Sequence, residues 1–432
     1  MGLFNWLRCW FLGKRPPATN DVVSDQGAAP QRRKRRRKHS RARLVPLRAA
    51  AARDARRRFP GLTTAERTGA APYRFARPCV LGGWLDFSLD GQTEQLGSAG
   101  LPVFETPQGL ADWLELPLGR LAWLIHRFEI EQQPPDQAKA HYHFCWLPKR
   151  RGGKRLIESP KPILKRIQHR ILREILDKVP LHPAAHGFAA KRSIRTNAAP
   201  HVGQRVILKM DLENFYPSVR FSRVVAIFRS LGYSREAALW LSRLTTSSLP
   251  ANAAQWSLWS PELEAYLCRH LPQGAPTSPA LANLSAFSLD LRLAGLARTF
   301  GARYTRYADD LTFSGDEHFS RSLAVFIPLA EQIIRAERFR TNKSKRHVVR
   351  DHQRQQVTGV VVNRHPNVAR PDYDRLKAVL TNCIRRGPST QNHSREDDYA
   401  AHLRGCIAHV AFLNPSRGEK LLDLFSQIDW NR

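Results

Sequence analysis

Apolar residues recur along this chain with different spacings, and each spacing predicts a different element. Leu110, Ala111 and Leu114, then Leu118, Leu121, Leu124 and Ile125, fall three and four apart, which predicts two short helices. Longer amphipathic helices are predicted over 162–178 and 322–338, and another from about 278 to 292. Short apolar runs with alternation predict strands at Val206-Ile207-Leu208, from Tyr304 to Phe313 and from Val357 to Val362. Beyond residue 371 helical spacing returns, with one stripe through Leu376, Val379, Leu380 and Ile384 and another through Leu403, Ile407, Val410 and Leu413. No internal repeat is visible. The pattern divides the chain into a small helical region (61–140), a mixed α+β body (141–370) and a helical end (371–432), after a compositionally separate tail (1–60).

Charge changes this picture most in the tail. The whole chain carries 69 Lys+Arg against 37 Asp+Glu, a net +32. Residues 1–60 hold 17 Lys or Arg against 3 Asp, so +14 of that excess lies there. The run Arg32 to Lys38, followed by Arg41, Arg43 and Arg56-Arg57-Arg58, repels itself and is expected to be disordered alone. It reads either as a solvated extension or as an arm for RNA phosphates, and the two are compatible. A balance so basic points to a polyanionic partner, nucleic acid first and an anionic membrane surface second. Six scattered cysteines with no C-x-x-C pair argue against a zinc site or a disulfide framework and fit a reducing, cytoplasmic compartment. No apolar run approaches the roughly 20 residues that span a bilayer, so no membrane partner is expected.

The chemistry concentrates in three strings. In Arg303-Tyr304-Thr305-Arg306-Tyr307-Ala308-Asp309-Asp310-Leu311-Thr312-Phe313, alternation on either side of Ala308-Asp309 predicts a β-hairpin with two carboxylates at its tip. Adjacent carboxylates repel unless a cation joins them, and Mg²⁺ takes such oxygens while leaving room for phosphate. Taken alone, such a pair is most often a surface turn. A third carboxylate arrives at Asp211, where the strand 206–211 runs into Leu212-Glu213-Asn214-Phe215-Tyr216. Alone it would read as a helix N-cap. With the hairpin, it predicts two metal ions about 3.5–4 Å apart that serve nucleotidyl transfer. The third string is Leu271-Pro272-Gln273-Gly274-Ala275-Pro276-Thr277-Ser278-Pro279-Ala280-Leu281-Ala282-Asn283, in which a glycine lets bare backbone approach a ligand.

In this order the three strings resemble palm motifs A, B and C of reverse transcriptases. The surroundings resemble the retron branch of that family: His186-Gly187-Phe188 and Arg192-Ser193-Ile194 lead into Asn197-Ala198-Ala199-Pro200-His201, like the N-A-x-x-H pattern, and Val357-Thr358-Gly359 is similar to the V-T-G signature. The resemblance spans about 141–430. It implies a right-hand polymerase of fingers, palm and short helical thumb, working with two Mg²⁺ on Asp211, Asp309 and Asp310. Tyr216 matches the family's aromatic that blocks a nucleotide 2′-OH, with Phe215 as the alternative occupant. Gln273 and Gly274 would face the template and incoming base. The hairpin Lys149-Arg150-Arg151-Gly152-Gly153-Lys154-Arg155 resembles the one that grips the triphosphate, with Arg155 first and Lys149 or Lys154 second; a solvated charged hairpin is the plain alternative. Lys345 in Asn342-Lys343-Ser344-Lys345 matches the lysine that protonates pyrophosphate, ahead of Lys343, and a surface basic run is the alternative. Asn197, His201, Val357, Thr358 and Gly359 would associate with RNA.

The implied partners are dNTPs, a cognate structured non-coding RNA serving as template and primer, and a separate effector protein in anti-phage defence. The implied product is a short DNA joined to that RNA, begun from a 2′-OH. Two rivals are another bacterial reverse transcriptase, intron-like or template-free, and an RNA-binding scaffold whose polymerase has decayed. Intact Asp211, Asp309 and Asp310 weigh against the second. The stretch 246–270, with Trp256, Trp259 and Ser260-Pro261, matches nothing in the family pattern.

Overall fold

The computed structural model describes residues 66–125, 141–149, 153–249 and 264–430. The basic tail, the turn Arg150 to Gly152, and Trp256, Trp259, Ser260 and Pro261 lie outside these residues. The described chain is α+β, with antiparallel sheets among helices, and it falls into two compact units that divide after Gln355. No described helix is long and apolar enough to cross a membrane.

The larger unit opens differently from the helical region expected there. Glu66–Thr68 (β1), Arg77–Pro78 (β2) and Trp84–Asp86 (β3) form a three-stranded antiparallel sheet in the order β1-β3-β2. Strands of two and three residues are too short to show a period, which is why the pattern missed them. The helices Pro107–Trp113 and Leu118–Leu124 follow as expected, the first capped by Thr106 and opened by Pro107. Next come Tyr142–Pro148 (β4) and Lys154–Pro160 (β5), a seven-pair hairpin. The helix Pro162–Glu174 buries Leu164, Ile167, Gln168 and Ile171, the one-sided stripe its spacing predicts.

The core sheet has the order β7-β8-β6-β9, from Val206–Asp211 (β6), Arg303–Tyr307 (β7), Asp310–Gly315 (β8) and His347–Arg350 (β9). Val206, Ile207, Leu208 and Met210 are all buried, so β6 is apolar on both faces, as an interior strand must be. The helix Glu317–Ala336, capped by Asp316, lays Phe319 and Phe326 against this sheet, with the rings of Phe313 and Phe326 at 5.0 Å. It begins five residues before the predicted 322. The helix expected from 278 to 292 is two helices, Ser278–Ser285 and Phe287–Thr299, broken at Ala286.

The smaller unit contains the hairpin Gln356–Val357 (β10) and Val360–Val361 (β11), then the helices Arg370–Arg386, Tyr399–Leu413 and Pro415–Ser426. Val357 therefore belongs with the helical end, and the division falls before the expected 370. Leu376, Leu380 and Cys383 line one helix, and Leu403, Cys406, Ile407, Val410 and Leu413 the next.

The Arg306–Asp290 ion pair is buried inside the larger unit. Arg306 of β7 grips Asp290 of the helix Phe287–Thr299 through two bonds, Nε to Oδ1 at 2.8 Å and Nη2 to Oδ2 at 2.6 Å, with both side chains fully buried. Its Nη1 donates to Asn283 Oδ1 at 2.9 Å and to the Ala308 carbonyl at 3.1 Å. The Tyr304 hydroxyl donates to Asp290 Oδ1 at 2.8 Å. Removing one partner strands a buried charge. Asp290→Ala is expected to cost about 3–5 kcal/mol of unfolding free energy in chemical denaturation. The double replacement Arg306→Met with Asp290→Leu should recover most of that loss.

Candidate active site

Strand register brings the carboxylates together. Asp211 at the end of β6 lies directly opposite Asp310 at the start of β8. Beyond that pair, the Leu212 amide donates to the Asp309 carbonyl at 2.9 Å. Tyr307 pairs with Asp310 to close the β7–β8 hairpin, leaving Ala308-Asp309 as a two-residue turn. Ala308 has φ +55°, the left-handed region that a two-residue hairpin turn of this kind demands and usually fills with glycine. Its surroundings hold it there. Arg306 binds its carbonyl, and a Cβ on Gly187 would lie 2.6 Å from the Ala308 nitrogen, so only glycine fits at 187. Gly187 is in turn fixed by Asn283, whose Nδ2 donates to its carbonyl at 2.8 Å.

The segment after the helix Glu317–Ala336 completes the site. Backbone bonds run from the Glu213 amide to the Arg340 carbonyl at 2.8 Å and from the Asn342 amide to the Asp211 carbonyl at 2.8 Å. The Asn342 side chain caps the short 3-10 turn Lys343–Lys345. Lys345 Nζ thereby reaches both Asp211 oxygens, at 2.9 and 3.0 Å, whereas Lys343 is exposed.

The electrostatics are those of crowded like charges. Burial and the Asp309 charge push the Asp211 carboxyl up, and Lys345 and Arg155 oppose them. Surrounding protein and the charges of Asp309 and Asp211 push Asp310 up to about 6. Asp310 still reaches solvent, so the repulsion is the part that a cation can cancel. Among the described residues no three His, Cys, Asp or Glu side chains are close enough to hold a metal ion as they stand. The donor chemistry suits a hard divalent cation all the same: the charges of three carboxylates act on one another, and an ammonium already sits on one of them.

Other expected site residues fall into two groups. Phe215 is buried, 5.8 Å from the Phe339 ring and under the Arg306 guanidinium. Tyr216 is half-buried, and burial and the Asp309 charge hold its hydroxyl neutral, with Arg155 also in electrostatic reach. Arg155 lies on β5, and the Lys149 amide bonds the Gly153 carbonyl at 2.9 Å beside the hairpin turn. Gly274 has φ +133°, and a Cβ there would meet the Glu158 carbonyl at 3.0 Å.

The RNA contact expected of Asn197 and His201 needs correcting. Both are buried, at 1% and 0% exposure. His201 bonds Ser314 Oγ at 2.6 Å and Thr305 Oγ1 at 2.8 Å, tying β7 to β8 on the face that also carries Asp211 and Asp310. Burial, with Arg303 and His186 nearby, lowers its pKa to about 3, so it stays neutral. Val357 is likewise fully buried. Thr358 and Gly359, at φ +47° and +85°, form the turn between β10 and β11. Sequence reasoning missed Asp290, Glu158 and His270. Nothing in their local pattern separates them from surface residues; only the fold supplies their partners.

The comparisons with known proteins agree with this architecture. Residues 147–362 match the family model described as reverse transcriptase (RNA-dependent DNA polymerase). The chain is 42% identical to the Retron Mx65 reverse transcriptase of Myxococcus xanthus, over 76% of its own length and 73% of that relative. It is 35% identical to the Retron Mx162 enzyme of the same organism, covering 79% and 71%. To the Retron Ec86 reverse transcriptase of Escherichia coli it is 30% identical, covering 78% and 93%. With motifs, sheet and relatives in accord, the chain belongs to the retron-type reverse transcriptases and is an RNA-directed DNA polymerase.

Proposed function

We propose that the β6–β9 sheet is the palm of this polymerase, that the β4–β5 hairpin with the helix Pro162–Glu174 forms the fingers, and that the helical unit after Gln355 is the thumb. The observation that carries the reading is the register that sets Asp211 opposite Asp310 with Asp309 at the hairpin tip. These three carboxylates would hold two Mg²⁺ ions. When bound, the metals supply activation of the primer hydroxyl and charge stabilisation of the leaving pyrophosphate.

The chain's own groups do the rest. Arg155, with Lys149 or Lys154, holds the triphosphate. The Tyr216 ring lies under the sugar and excludes a 2′-OH, while Gln273 and Gly274 face the template and incoming base. Lys345, released from Asp211, delivers a proton to pyrophosphate. Asn197 and His201 act by positioning β7 and β8 rather than by touching RNA. The Thr358-Gly359 turn and the basic stretch before residue 61 contact the cognate structured RNA, which is both template and primer. The product is a short DNA joined to that RNA and begun from a 2′-OH. The system serves anti-phage defence in the bacterial cytoplasm, with a separate effector protein.

Three outcomes test this reading. In primer extension with dNTPs and Mg²⁺, Asp309→Asn should lose about a thousandfold in rate, corresponding to roughly 4 kcal/mol of lost charge stabilisation. Equal synthesis by both proteins would remove the two-metal assignment. Tyr216→Ala should raise ribonucleotide incorporation about tenfold or more; unchanged sugar selection would move the gate to Phe215. The third outcome concerns pH. A carboxyl whose folded pKa is raised binds its proton more tightly when folded, so its charged form weakens the fold above that pKa. The metal-free protein should therefore gain stability as pH falls through about 6 toward the ordinary carboxylate range. At pH 7, Asp310→Asn should raise the metal-free melting temperature and shrink the further rise that Mg²⁺ gives the wild type.

A further inference from the structure

Glu158 is a carboxylate on the apolar face of β5, alternating with Leu156 and Pro160, and it is fully buried. Its Oε2 lies 2.8 Å from His270 Nε2, and the His270 side chain is fully buried too. His270 Nδ1 stands 2.7 Å from the Cys268 carbonyl. A carbonyl only accepts, so Nδ1 carries a hydrogen. The contact with Glu158 then needs a second hydrogen, on Nε2 or on Oε2. Either way the two side chains together are neutral and share one proton along a single line.

Stability is a weak reason for such a pair. Among the described residues Glu158 Oε1 has no hydrogen-bond partner, and apolar residues of similar volume usually serve a core at least as well. Position is a better reason. His270 is pinned by its backbone, which exchanges two 2.9 Å hydrogen bonds with Ser247. Three and four residues on, the loop touches β5 again. The Glu158 amide donates to the Gln273 carbonyl at 2.9 Å, and Gly274 stacks so closely that a Cβ would meet the Glu158 carbonyl at 3.0 Å and Ile157 Cγ2 at 3.3 Å. Three contacts thus fasten the segment 270–274 to one residue of β5. Three positions before that residue stands Arg155, whose charge acts on Asp211 and Tyr216.

The geometry points to Glu158 and His270 as a positioning pair that fixes the distance between Arg155 and the Gln273-Gly274 loop, and so sets the width of the nucleotide pocket. This rests on the assignment of Arg155 to the triphosphate and of Gln273-Gly274 to the base. Neither side chain touches substrate. Their effect is on how tightly a dNTP is held, more than on the chemical step.

Steady-state extension on a primed RNA template, with the full-length protein, separates the possibilities. Glu158→Leu keeps volume and apolar packing but breaks the link. His270→Ala breaks it from the other side. Each should raise KM for dNTP about tenfold while kcat changes less than about threefold. Glu158→Gln should retain a KM within about twofold, because the new amide can donate to His270 Nε2. The pair should also be coupled to Arg155: Arg155→Ala should cost several-fold less in the Glu158→Leu background than alone. If the broken variants lower only kcat and melting temperature, leaving KM unchanged, the pair is structural and the proposal fails. An unchanged KM in Arg155→Ala would instead overturn the phosphate role of Arg155, and this use of the pair with it. A raised KM there beside an unchanged KM in Glu158→Leu overturns the pair alone. Should His270→Ala not fold, Glu158→Leu and Glu158→Gln decide the matter without it.

Discussion

Everything at the catalytic end depends on the register between β6 and β8. Side chains alternate along a strand, so a slip of one residue would turn Asp211 to the opposite face from Asp310 and carry Lys209 into a place now held by Leu208 or Met210. The burial pattern of β6 forbids that slip, because Lys209 is its one partly exposed residue. Val206, Ile207, Leu208 and Met210 are buried on both faces, and Phe313 on β8 is fixed between Tyr304 and Phe326. Apolar packing thus decides where three acids meet, although the acids themselves repel. The energy that holds the site comes from the core beside it.

The buried polar groups around this sheet have a common form. Arg306 with Asp290, His201 with Ser314 and Thr305, and Glu158 with His270 each join two segments far apart in sequence. None of them reaches solvent. Apolar contacts tolerate sliding, whereas a bidentate guanidinium or an imidazole bonded at both nitrogens accepts one geometry. Such groups specify position where burial alone would leave latitude.

Much of this was legible in the sequence, for physical reasons that differ by element. The helices of the C-terminal unit have strong periods, and their apolar faces are the faces buried; the β7–β8 hairpin was marked by alternation about its tip and β6 by an unbroken apolar run. Asp211, Asp309 and Asp310 could be grouped because the family's strings stand in order. The short strands β1 to β3 were not legible, since two or three residues carry no period. The break at Ala286 was not, because the Leu and Ala on either side suit one continuous helix. Asn197 and His201 were matched to the right segment and given the wrong surroundings. A motif records that a residue type recurs, not whether its side chain faces solvent or the protein interior. Glu158, Asp290 and His270 were invisible because each draws its meaning from a partner that only the fold supplies.

The grip of Lys345 on Asp211 bears on the order in which the protein is assembled. Carboxylates forced together with no countercharge would oppose the last stage of folding, and the nascent chain would have to wait for magnesium. An ammonium supplied by the same chain offsets part of that repulsion. The end of β6 can close with a positive charge of its own beside Asp211. An external cation bound there would replace that charge rather than enter a bare site.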